Sequence, residues 1–159
     1  MTGARHVIGL MSDTHGLVRA SLFQALAGVD LILHAGDVGP DDVLTALDTI
    51  APVRAVYGNT DQPGNPRHAA ALVLEIGGVS VHVSHGHELG SPTPARLLAA
   101  YPQRVIVYGH THRQLITEAD GRLVINPGAV GARRFDLLPS VAKLVIEHGV
   151  PRVELIALE

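Results

Sequence analysis

Seven residues of types that hold metal ions recur at the ends of apolar runs in this 159-residue chain. Run 7–11 precedes Asp13, 31–33 precedes Asp37, 53–57 precedes Asn59, 79–83 precedes His85 and 105–108 precedes His110. Two more imidazoles stand two residues further on, His15 after Asp13 and His112 after His110; in an extended turn, residues so spaced can point the same way. Ligands placed after parallel strands converge, because the carboxyl ends of such strands meet at one edge and form a crevice there. Gly36, Gly58, Gly86 and Gly109 adjoin these positions. Glycine lets the chain turn sharply and brings backbone amides close to an anion, which suits a phosphate pocket.

Composition narrows the chemistry. There is no cysteine, so a metal must be held by nitrogen and oxygen. Ten histidines accompany only 3% aromatic residues. Charged residues make up 17% and the net charge is -3, which gives no basic field for a long nucleic acid. An apolar content of 47% in 159 residues fits one domain, 1–159, burying roughly two thirds of its unfolded surface. No apolar run reaches the roughly 18 residues of a membrane span, and residues 1–6 lead straight into a strand pattern rather than a signal peptide. The expectation is a soluble, cytoplasmic protein without a membrane partner; a homo-oligomer is left open.

The segments Asp13-Thr14-His15, Gly36-Asp37, Gly58-Asn59-Thr60-Asp61, His85-Gly86-His87 and Gly109-His110-Thr111-His112, followed by Asn126-Pro127-Gly128-Ala129, run in one order along the chain. In this the sequence resembles the calcineurin-like metallophosphoesterases, particularly their small single-domain bacterial and archaeal phosphodiesterases. The resemblance implies an α/β fold, a four-layered α/β sandwich of two mixed sheets packed face to face and flanked by helices. It also implies one metal held by Asp13, His15 and His112, a second by Asn59, His85 and His110, and Asp37 bridging both. Asp37 and Asn59 are then the catalytic residues, with Asn59, Thr60, His87 and Arg134 binding substrate. The cofactors would be two divalent ions, manganese first, with Fe, Zn, Ni or Co equally compatible with such ligands. Two ions about 3.5 to 4 Å apart activate a bridging hydroxide as nucleophile and bind the non-leaving oxygens of a small phosphate ester. The rival reading is a non-catalytic protein-interaction scaffold, since a retromer subunit uses the same fold, but a scaffold has no need of a full ligand set.

One position departs from the family pattern. Many members carry histidine after the asparagine of the third segment, where it protonates the leaving alcohol, and here Thr60 stands there. A threonine is no proton donor near neutral pH, and losing acid catalysis costs about 10² to 10⁴ in rate. His87 or solvent is left to compensate. Arg134, eight residues after Asn126, matches a basic position of the downstream turn and either reaches a substrate phosphate or faces solvent. Asp61 reads as a substrate-side group or as an Asx-type turn stabiliser. His34, three residues before Asp37, reads as a residue behind the site.

The elements that must position these residues follow from periodicity. Strands 6–11, 30–34 and 53–57 alternate with helical patterns 17–27 and 41–49, a βαβαβ order that demands parallel strands with right-handed crossovers. Runs 71–76 and 79–84 flank Gly77-Gly78, a hairpin signal. A helix 94–100 and a strand 105–108 come next, then antiparallel pieces 114–118, 123–126, 141–147 and 152–157 with turns at Asp120-Gly121 and His148-Gly149. Residues 60–68 read as an extended surface loop.

Overall fold

The computed structural model describes residues 5–131 and 137–158. The chain begins with β1 (Arg5–Met11), α1 (Ser21–Ala25), β2 (Leu31–His34), α2 (Asp42–Asp48) and β3 (Val53–Val56), and the three strands lie side by side in parallel. A two-residue strand, β4 (His68–Ala69), extends this sheet beyond β3. The final hairpin, β10 (Ser140–Glu147) and β11 (Val150–Ala157), adds to its other side, giving the order β11-β10-β1-β2-β3-β4.

The second sheet is built from β5 (Leu72–Ile76), β6 (Val79–Val83), β7 (Val105–Val107), β8 (Leu115–Ala119) and β9 (Arg122–Asn126), in the order β5-β6-β7-β9-β8. Here β6, β7 and β9 are parallel, while the hairpin partners β5 and β8 run antiparallel to them. Between β6 and β7 lies α3 (Pro94–Ala100), whose start is fixed by the Thr93 hydroxyl accepting the Arg96 N–H and by Pro94 at the first position.

Strand alternation sorts the apolar side chains into layers. Ile8, Leu10, Leu33 and Leu144 of the first sheet meet Val81, Val83, Val107 and Ile125 of the second in one dry cluster. On the opposite face of the first sheet, Met11 and Ile32 pack against Leu22, Leu44 and Leu47 of the first two helices. On the outer face of the second sheet, Ile106 and Val124 pack on Leu97. The result is helix, sheet, sheet, helix. Each such fully buried aliphatic side chain contributes roughly 1.5–3 kcal/mol, so the sheet-on-sheet layer and the helix layer on the first sheet are both major sources of stability.

All three anticipated hairpin turns have two central residues with positive φ, at Gly77-Gly78 (56° and 82°), Asp120-Gly121 (53° and 77°) and His148-Gly149 (55° and 72°). That is the type I′ geometry whose twist matches the flanking strands.

Three expectations need correction. The helical pattern at 17–27 is realised only as Ser21–Ala25, since Ala20 offers no side-chain cap and Arg19 is drawn off to the carbonyls of Val130 and Gly131. The polar stretch 60–68 ends in sheet rather than loop, because Tyr57 donates its N–H to Ala69 alongside β3. The last sheet pieces are not all antiparallel, since β9 enters beside β7 in parallel.

Candidate metal centre

The loops after β1, β2 and β3 and those after β6 and β7 emerge at one edge, where the two sets of parallel strands face each other. They are stitched together by backbone bonds: Asp13 N–H to Gly36 O, His15 N–H to Asp37 O, and Gly109 N–H to His85 O, each 2.9–3.0 Å. Among the described residues, seven non-glycine residues have positive φ, and five are Asp13, His15, Asp37, His110 and His112. The other two, Asp120 and His148, sit in the hairpin turns. Left-handed backbone at non-glycine residues is uncommon, and its concentration here marks a site whose side-chain directions are imposed.

At the centre lies Asp13, fully buried. Its Oδ2 accepts hydrogen bonds from the Ser12 hydroxyl at 2.6 Å and the His110 N–H at 3.1 Å. Its Oδ1 has no hydrogen-bond partner. Instead Oδ1 faces Nε2 of His112 at 3.4 Å, of His15 at 3.7 Å and of His85 at 3.8 Å. Asp37 is arranged alike: Oδ1 accepts the Thr60 N–H at 2.9 Å, while Oδ2 lies 3.2 Å from Nε2 of His85 and 3.7 Å from that of His15. Asn59 brings its Oδ1 to 3.1 Å from His85 Nε2 and 3.2 Å from His110 Nδ1. His85 is oriented from behind, its Nδ1 donating to the Ala35 carbonyl at 2.8 Å and leaving Nε2 to face the carboxylates.

Electrostatics follow from this crowding. Burial raises the Asp13 carboxyl, but the facing imidazoles of His112, His15 and His85 together with the Ser12 hydrogen bond outweigh it and hold it far below the usual carboxylate range. Burial likewise opposes ionisation of Asp37, yet bonding to His85 and to the Thr60 N–H brings it to about 2. For His85, burial disfavours the charged ring, and the facing Asp37 and Asp13 more than reverse that and raise it. His110 is lowered, by burial first and then by the charge of His85. Two ionised carboxylates sunk among imidazoles form a donor set for divalent cations. Its parts fall into two groups of mutually close atoms, Asp13 with His15 and His112, and Asp13 with Asp37 and His85.

All seven sequence-selected ligand candidates thus converge. Of the substrate-side candidates, Thr60 is exposed and touches the centre through its N–H. His87 stands with its ring centroid 5.4 Å from that of His85 and 6.5 Å from that of His110. Arg134 lies outside the described residues. Asp61 is a loop tie, accepting the N–H groups of Val38, Gly58 and Gly39. His34 is buried behind the site, where Nδ1 accepts the Gly36 N–H and Nε2 bonds Thr14, whose hydroxyl donates to Val38 O. Sequence reasoning gave no role to Ser12 or to the side chain of Asn126, which holds the 109–112 loop through the Gly109 carbonyl and the Thr111 hydroxyl. The available signals were the position of Ser12 beside Asp13 and of Asn126 at the head of the downstream segment 126–129.

A double-sheet sandwich that delivers carboxylates, an amide and imidazoles from its parallel strand ends to one cluster defines a candidate divalent-metal site. The chain belongs to the calcineurin-like phosphoesterase superfamily, whose domain matches residues 7–149. It is 37% identical over 149 residues to a probable metallophosphoesterase of Methanothermobacter thermautotrophicus, covering 89% of this chain and 86% of the relative. It is 30% identical over 138 residues to a phosphodiesterase of Methanocaldococcus jannaschii, covering 76% and 82%. The fold is shared with Vps29 of Entamoeba histolytica solved with zinc, at a TM-score of 0.77, 20% identity and coverage of 96% and 99%. The family implies divalent metal ions. Among the described residues, no helix is long and apolar enough to cross a membrane.

Proposed function

We propose that the protein is a single-domain phosphodiesterase with a dinuclear metal centre. The observation that carries this reading is the buried Asp13 Oδ1, an anionic oxygen without a hydrogen bond and faced by three imidazole nitrogens. Buried charge is retained only where it is paired or coordinates a metal. Asp13, His15 and His112 would hold one ion and Asn59, His85 and His110 the other, with Asp37 serving both. When bound, the pair supplies an activated water and positive charge for the phosphoryl oxygens.

The residues of this chain do the rest. The Thr60 N–H and the Ser12 hydroxyl each fix one carboxylate oxygen and leave the other free to bind. The Ala35 carbonyl fixes the His85 tautomer. Thr60 offers no acid to the leaving group, so the proposed substrates are esters that depart readily. The diester preference is supported by the similarity to the M. jannaschii phosphodiesterase.

The test is hydrolysis of bis(4-nitrophenyl) phosphate by chelator-stripped protein after adding back Mn²⁺, Ni²⁺ or Zn²⁺. Activity is expected to return with metal and to fall by about 10³ or more in Asp37→Asn and His85→Ala. Activity that survives chelation and both substitutions rules the mechanism out.

A further inference from the structure

Two cavities adjoin the centre at different loops, and their walls differ. One, of about 360 Å³, opens beside His112 between Arg113 and Gln114 on one side and Leu137 and Leu138 on the other. The second, of about 420 Å³, opens at Thr60 and is lined by polar groups that include Asp41, Gln62 and Asn65. Both are of the size that holds a small organic group.

The first cavity has two features without a structural explanation. Leu138 is 43% exposed at its lip. The exposed Arg113 guanidinium makes no hydrogen bond or ion pair to a described residue, as is also true of Arg5, Arg54 and Arg152, but of these four it alone lines the cavity beside His112. An apolar wall beside a guanidinium with no partner among the described residues fits a ligand with an apolar body and an oxygen acceptor.

We propose that the cavity beside His112 is the subsite for the retained ester arm of the substrate, an arm with a flat apolar body and an acceptor oxygen for Arg113. The proposal rests on the phosphodiester reading above. Hydrolysis forms one P–O bond from water and breaks the P–O bond to the leaving arm. That arm departs with the bonding pair, the proton of water passes to it or to solvent, and the product is a monoester still carrying the retained arm. Charge grows on the leaving oxygen, which therefore needs donors such as the Thr60 hydroxyl and the Gln62 amide in the second cavity. The retained oxygen gains no such charge, so the Leu137–Leu138 wall exacts no desolvation cost there.

The experiment compares two substrates with the same leaving group, bis(4-nitrophenyl) phosphate and methyl 4-nitrophenyl phosphate, in the manganese-loaded protein and in its Arg113→Gln and Leu138→Ser variants. The quantity read is the ratio of kcat/KM for the aryl-retaining over the methyl-retaining ester, and each variant is expected to lower it by about tenfold. A ratio unchanged in both variants overturns the subsite. If the native protein cleaves neither ester, the phosphodiesterase reading fails by itself. Calorimetric titration of the metal-free proteins with bis(4-nitrophenyl) phosphate then decides the subsite: binding about tenfold weaker in the variants supports it, and equal affinity, absence of binding included, overturns it.

Discussion

Five of the candidate ligands hold left-handed backbones, each at a cost of order 1–3 kcal/mol that only firm surroundings sustain. Part of that firmness is absence of atoms. Gly58 has no positive φ, so its backbone would accept a side chain, but a Cβ built there runs into the Asp37 carboxylate and backbone nitrogen. At Gly109 the added atom would meet the Ser12 hydroxyl and, at 2.7 Å, Asp13 Oδ2. These glycines serve close approach alone, whereas Gly36 and Gly86, with φ angles of 105° and 104°, need glycine for the turn itself as well. Gly58→Ala is therefore expected to push Asp37 out of register and lower kcat/KM on an activated aryl diester by about 10², the usual consequence of misplacing a reacting group by an ångström. A steady-state assay beside a thermal melt checks this, and a loss under about threefold with an unchanged melt counts against it.

At the scale of elements, the question is what keeps the loop after β2 in step with the loop after β3, since Asp37 lies on one and Asn59 on the other. Asp61 answers it, joining Val38 and Gly39 of the first loop to Gly58 of the second through three N–H bonds of 2.9–3.1 Å. An amide cannot accept all three, because its NH₂ end would face a donor. Asp61→Asn is expected to cost about 1–3 kcal/mol in urea unfolding and to weaken metal binding in a calorimetric titration, whereas intact binding would confine Asp61 to local turn stability. The convergence of the candidate ligands and the parallel strand ends were legible in the sequence because both are written in local patterns, an apolar run and then a polar donor. Asp61 reads in the sequence as an Asx-type turn stabiliser or a substrate-side group, but it accepts instead from Gly58 behind it and from Val38 and Gly39 more than twenty positions away, which no local pattern encodes. For the same reason β4 went unseen: two residues carry no periodicity, and only pairing with β3 makes them a strand. The short α1 misled from the other side, as a 3.6-residue apolar rhythm over 17–27 yielded to long-range ties of Arg19 and tight turns that propensity does not register.

At the scale of the whole molecule, the site is supported by an imidazole buried between the first sheet and its helices. His34 reaches Gly36 and Thr14 from below, and because the Thr14 hydroxyl donates to Val38 O, the ring donates from Nε2 and accepts at Nδ1. Protonating Nδ1 would set an N–H against the Gly36 N–H. Burial accordingly lowers the ring from its ordinary 6.5 to about 4, with the charges of Asp13 and Asp61 only partly opposing. A histidine with a depressed folded value leaves stability untouched above pH 6.5 and lowers it as pH falls from 6.5 to about 4, because only the unfolded chain takes up the proton in that window. At about 1.4 kcal/mol per unit the loss reaches roughly 3 kcal/mol. Asp13 and Asp37 are depressed from 3.8, so their contributions disappear only below that pH and do not overlap. His82 and His110, also lowered by burial, titrate in the same direction, whereas the raised His85 adds stability as pH falls toward 6.5, so all three are separated by comparison with the variant. Urea unfolding of chelator-treated protein between about pH 7.5 and 4.5 should therefore show a steeper acid loss in the native chain than in His34→Gln, the two curves converging by up to roughly 3 kcal/mol as pH falls. The variant begins lower at neutral pH, having lost a satisfied buried pair of hydrogen bonds, so the slope is the diagnostic quantity, and parallel curves would show that His34 does not carry the acid sensitivity.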